Sequence, residues 1–144
     1  MITFPGLGIA VDPVWLWLAL GLVLAAPYVA VGRRKRGRAE RAWWALGLVV
    51  AALAYVAFAL ARGAWAEAAL EAVGVAVYGA IAVRGLSDRR WLVAGWALHP
   101  AWDLGVHVLG GVAAPAWYVW ACLSFDLAVA VAIWRTGASA GRAR

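Results

Sequence analysis

The length of its apolar runs constrains this chain more than any other feature. Five stretches, at about residues 14–31, 42–61, 64–83, 91–109 and 116–134, are each close to twenty residues long and poor in charge. At about 1.5 Å per residue, twenty residues of helix match the ~30 Å hydrocarbon layer of a bilayer. Barrel strands are about half that length and alternate polar with apolar residues, which these runs do not. The pattern predicts an all-α polytopic membrane protein: five transmembrane helices in a compact bundle, forming one integral membrane domain over 1–144. The chain is 67% hydrophobic and 14% charged, whereas soluble domains lie near half and a quarter.

The breaks between runs carry ordinary turn chemistry. Asp12-Pro13 opens the first run, where a proline lacking its N–H is favoured. Arg62-Gly63 reads as a tight turn, and Gly110-Gly111 with Pro115 separates the last two runs. Of the thirteen basic residues, all but Arg62 fall in the expected loops 32–41 and 84–90 or in the C-terminal tail. The positive-inside rule places those segments in the cytoplasm, with the N-terminus out, the C-terminus in and five crossings of the inner membrane. Short basic loops between apolar runs mark topology, so a nucleic-acid partner is excluded. Arg33, the first positive charge, follows the first apolar run, so no cleavable signal peptide is expected. Cys122 is the one cysteine and forms no intrachain disulfide.

Most of the eleven tryptophans fall where an aromatic belt would lie: Trp15, Trp17, Trp65 and Trp117 near the outer ends of runs, and Trp43, Trp44, Trp91 and Trp134 near the inner ends. Trp96, Trp102 and Trp120 lie deeper. Ala68, Ala72, Ala76 and Ala80 form a small-residue ridge, which predicts a central third helix approached closely by its neighbours.

Within the fourth run, His99, Asp103 and His107 recur at i, i+4 and i+8, an arc of about 80° on one helix face. Lipid does not tolerate such a stripe, so it should face protein or a wet cavity. Of the seven acids, Asp12, Glu40 and Asp88 are expected in loops, and Glu67, Glu71, Asp103 and Asp126 in spans. Counted from the outer ends, Glu67 and His107 lie about 3–5 Å deep, Glu71, Asp103 and Cys122 about 9–11 Å, and His99 and Asp126 about 15 Å. Glu71 with Tyr78, His99 with Asp103, and Tyr118 with Cys122 and Asp126 each keep helical period. The expectation is one polar pocket among the third, fourth and fifth spans, open outward and closed near the midplane. Pro100 adds a kink that frees the Trp96 carbonyl.

Three chemistries and one bland reading fit these residues. The leading expectation is acid–base chemistry on a lipophilic, lipid- or isoprenoid-like substrate. His99 and Asp103 would form the acid–base pair, and Asp126 would orient them or stabilise charge. Glu71, Trp96, Trp102, Tyr118 and Trp120 would contact the substrate, the tryptophans through cation–π attraction. Alternatively His99, Asp103, His107, Asp126, Cys122 and Glu71 would bind a divalent metal, with zinc, iron or manganese suiting the mixed donors. A proton relay is disfavoured because the ladder ends at the midplane. The bland reading is an inter-helix hydrogen-bond network in a structural subunit. The partners expected are the lipid bilayer, a lipophilic small molecule, and a second copy or a larger membrane complex.

The pattern His99-x-x-Trp102-Asp103-x-x-x-His107, followed by Pro115 and Cys122-x-x-x-Asp126, resembles a family of small, functionally uncharacterised bacterial integral membrane proteins. Those proteins carry a His-x-x-Trp-Asp helix followed by a Cys-x-x-x-Asp helix. The resemblance covers the last two spans and implies a shared chemistry without naming it. That family pairs two histidines after the Asp, whereas here Val106 precedes His107. A looser likeness, through buried acids and tryptophans in a five-helix bundle, is to the small sterol-isomerase-type membrane fold, with no motif matching residue by residue.

Overall fold

The computed structural model describes residues 2–4, 9–11, 13–108 and 114–141, with side chains described for 14–106 and 114–137. Five helices follow in order: α1 Pro13–Arg34, α2 Gly37–Ala61, α3 Trp65–Gly85, α4 Arg89–Val108 and α5 Ala116–Gly141. Ahead of them, β1 (Ile2–Phe4) pairs antiparallel with β2 (Ile9–Val11), Ile2 opposite Val11. The bundle is all-α as expected, and this short ladder, with strands too brief to register as a periodic pattern, precedes it.

Helices α1, α2, α3 and α5 are long and apolar enough to cross a membrane. Their outward faces agree: Leu22, Val23, Leu46, Val50, Val73, Val83 and Val131 are exposed, a surface suited to lipid and not to water. The chain is a membrane protein. Helix α4 holds Arg89, Arg90, His99, Pro100 and Asp103 and is not among those four.

Helix ends follow local chemistry. Gly63 has φ +69°, which an L side chain adopts only with strain. There Ala64 N donates to Ala59 O at 2.9 Å and Gly63 N to Leu60 O at 3.0 Å, the paired bonds of a Schellman stop. Asp88 caps α4 by accepting from Arg90 N at 3.0 Å. Pro13 opens α1 as expected; Asp12 and Gly110-Gly111 lie outside the described residues. The expected basic loop 32–41 is a correction. Only Lys35 and Arg36 separate α1 from α2, because a helix that leaves the hydrocarbon continues into the headgroup region where charge is tolerated. Glu40 therefore sits inside α2 and is buried.

Around the bundle, α1 packs on α5, α5 on α4, α4 on α3 and α3 on α2, with lighter contacts between α2 and α4 and between α1 and α2. The main core, toward the basic end, is Trp44, Leu48, Tyr78, Leu92, Trp96, Val129 and Ile133. Trp44, expected in the belt, is fully buried there. A second cluster toward the other end holds Tyr55, Val119 and Cys122. The expected alanine ridge is also corrected. Ala72, Ala76 and Ala80 face outward, and α3 buries Ala68, Glu71, Gly74, Tyr78 and Ala82 instead. Two stripes of equal period lie side by side on α3, and the inward one carries the groups that need partners. Helix α4, touching α2, α3 and α5, holds the place expected of α3.

Candidate functional site

His99 and Asp103 sit one turn apart on α4, with side chains 1% exposed each, and Asp126 of α5 is fully buried beside them. His99 Nδ1 lies 2.9 Å from Asp126 Oδ2 and 3.3 Å from Asp103 Oδ2. That nitrogen carries at most one hydrogen, so a single N–H serves two carboxyl groups. Tyr55 of α2 donates its hydroxyl to Asp103 Oδ2 at 2.8 Å. Asp103 Oδ1 and Asp126 Oδ1 are buried with no hydrogen-bond partner among the described residues. The imidazole is held edge-to-face by Tyr78 at 4.8 Å and Tyr55 at 5.9 Å between ring centres. Tyr78 spends its own hydroxyl on the Leu98 carbonyl, 3.1 Å away. The cluster thus lies at the seam between the two apolar cores, and the bundle holds it from four helices.

Of the residues singled out from sequence, His99, Asp103 and Asp126 converge. Glu71 is buried but takes a different partner, accepting from Trp102 Nε1 at 3.1 Å. Trp96 is buried, donating Nε1 to the Trp44 carbonyl at 3.1 Å. Tyr118 stacks edge-on against Tyr55 and Phe58, Cys122 is buried beside it, and Trp120 is half-buried. The His107 side chain lies outside the described residues. Helix α4 runs on through Pro100. Tyr55 carries no pattern in the sequence that marks it for the site; a buried tyrosine hydroxyl needs one partner, and Asp103 is that partner.

The space beside the cluster differs from the expected pocket among α3, α4 and α5. A cavity of about 390 Å³ opens between α1, α2 and α5, where α1 and α2 touch only lightly. Tyr28, Gly47, Ala51, Trp96, Phe125 and Asp126 are among the residues bordering it, so it is apolar with one carboxyl at its wall. Tyr28 and Trp43 tie α1 to α2 by exchanging bonds with each other's backbone: Tyr28 OH donates to Trp43 O at 3.0 Å and Trp43 Nε1 to Tyr28 O at 3.3 Å.

Buried carboxyl and imidazole groups in contact can pass a proton among themselves. The same three residues offer one donor atom each, all within 4.8 Å of one another, a spacing that suits one metal ion.

A second polar knot closes the basic end. Glu40 Oε2 accepts from Arg89 Nη2 at 2.8 Å, and its Oε1 accepts from Trp44 Nε1 at 3.3 Å and Thr136 Oγ1 at 3.5 Å. Arg41 Nε donates to the Leu86 carbonyl at 2.7 Å. One acid, expected in a loop, joins α2, α4 and α5.

A profile for a family of unknown function (DUF6010) matches residues 16–139. The chain belongs to this family. The DUF6010 match runs from the first turns of α1 into the last turns of α5, so it takes in the His99–Asp103–Asp126 cluster and the Glu40 knot. No curated protein and no solved structure matches the chain.

Proposed function

We propose that this chain is a membrane-embedded enzyme performing acid–base chemistry on a lipophilic substrate seated in the cavity between α1, α2 and α5. All five helices cross the inner membrane in this reading, with the N-terminus out and the basic end in the cytoplasm. The observation that carries it is the double position of Asp126, which borders the apolar cavity and bonds His99 Nδ1 at 2.9 Å. Asp126 exchanges the proton with the substrate. His99 passes it between Asp126 and Asp103, and the Tyr55 hydroxyl holds Asp103 in place. Trp96, Phe125, Tyr118 and Tyr28 supply the apolar and aromatic walls a lipid- or isoprenoid-like molecule needs.

Gentle purification followed by mass spectrometry of retained lipophiles tests the reading. A co-purified molecule should be displaced by Ala51→Phe, which fills the cavity. It should take up deuterium from heavy water at one carbon in the wild type and not in Asp126→Asn. Retention and exchange that are unaltered by both changes would defeat the proposal.

The common approach of three donors favours a second reading, a zinc, iron or manganese site on His99, Asp103 and Asp126. Elemental analysis decides it: near-stoichiometric metal that disappears in His99→Ala and Asp103→Ala supports the metal site, and metal-free protein with bound lipophile supports the enzyme. If alanine at Asp103 and Asp126 alters only thermal stability, the cluster is structural.

A further inference from the structure

The α1–α5 face carries a second concavity, on the lipid-facing side of the bundle and separate from the site above. It measures about 280 Å³ and lies between Leu22 and Arg33 of α1 and between Ala128 and Arg135 of α5. Small side chains shape its floor: Ala25 and Ala132 are buried, and Ala26 and Ala128 leave room above them. Its two ends differ in chemistry. The end toward the bilayer midplane is aliphatic, with Leu22 and Val131 exposed along its flanks. The headgroup end, at the basic side of the bundle, is rimmed by Arg33 and Arg135, both exposed.

We infer that this groove binds one anionic phospholipid, its acyl chain along the alanine floor and its phosphate between Arg33 and Arg135. The length fits. From Leu22 to Arg33 an α-helix rises about 16 Å, half of a ~30 Å hydrocarbon layer, which is the reach of one leaflet's acyl chain. Charge fits as well. Guanidinium groups bond phosphate oxygens in pairs, and the neighbouring Arg34, Lys35 and Arg36 raise the local concentration of anionic headgroups. An apolar trough alone would take any lipid. Two arginines at the end nearest the headgroups, and no acidic residue on its walls, select the anionic kind. This inference does not depend on the chemistry proposed for His99, Asp103 and Asp126, and it survives the failure of that reading.

The test reconstitutes the full chain in vesicles holding equal parts of phosphatidylglycerol and phosphatidylcholine, then counts retained lipids by native mass spectrometry. Wild type should retain phosphatidylglycerol in preference to phosphatidylcholine. The double change Arg33→Gln with Arg135→Gln should cut that preference about 10- to 30-fold, since each arginine near the surface is worth about fivefold. A control pair on the same end, Arg38→Gln with Arg90→Gln, should leave it unchanged. Ala26→Trp, at an exposed helix position, keeps every charge but blocks the groove, and should also release the lipid. An equal loss in the control pair would show diffuse attraction and overturn the inference. Full retention in Ala26→Trp, or displacement by inorganic phosphate as effective as by short-chain phosphatidylglycerol, would overturn it too, because the acyl groove would then contribute nothing.

Discussion

Removing His99 is the sharpest perturbation of the buried cluster, because one nitrogen holds two carboxyl groups. His99 is 1% exposed, with Asp126 at 2.9 Å and Asp103 at 3.3 Å from Nδ1. An inter-helix hydrogen bond in a membrane protein contributes about 0.6 kcal/mol on average. Breaking a buried charged pair by deleting one partner costs about 3–5 kcal/mol, since the survivor keeps its desolvation penalty. His99→Ala leaves two acids facing each other with no donor between them, so the larger figure applies. A double-mutant cycle sharpens this. The coupling between His99 and Asp126 should reach about 2–3 kcal/mol, and that between His99 and Asp103 should stay below about 1.5 kcal/mol. Asp103 retains the Tyr55 hydroxyl at 2.8 Å when His99 is deleted, whereas Asp126 has no second side-chain partner among the described residues. Steric-trapping unfolding in bicelles measures these energies directly. A His99–Asp126 coupling at or below about 0.6 kcal/mol would reduce the cluster to an ordinary hydrogen bond, and a reversed order of the two couplings would refute the geometry.

Four further outcomes are expected. Tyr55→Phe should cost about 1–2 kcal/mol by leaving Asp103 short of a donor, read in the same unfolding assay. Gly21→Ala should cost about 1–3 kcal/mol, because a Cβ there collides with the Ala121 carbonyl and Ser124 Oγ and disturbs the bond from Ser124 to Leu18 O at 2.7 Å. Gly79→Ala, with nothing within 4 Å of the new methyl, should be neutral or stabilise by up to about 1 kcal/mol through helix propensity, and thermal melts separate the two. Glu40→Gln should lower stability by about 1 kcal/mol, less in high salt, since Arg89 is 24% exposed and partly screened; melts at two ionic strengths show the difference.

The apolar runs and their basic breaks were enough to locate the five helices among the described residues, because hydrocarbon thickness and turn chemistry are local demands on consecutive residues. The stripe at His99 and Asp103 was legible for the same reason: helical period places residues four apart on one face whatever surrounds them. Its partners were not. Tyr55 and Asp103 are 48 positions apart and His99 and Asp126 are 27, and which residues meet across helices depends on how each helix is rotated about its axis. That rotation chose the Glu71–Tyr78 stripe of α3 over the alanine ridge beside it. It also drew Glu40 inward to Arg89 and placed the cavity at the loose α1–α2 contact, away from α3. Periodicity assigns residues to faces; only the packing of one helix against another decides which face turns inward and what it meets there.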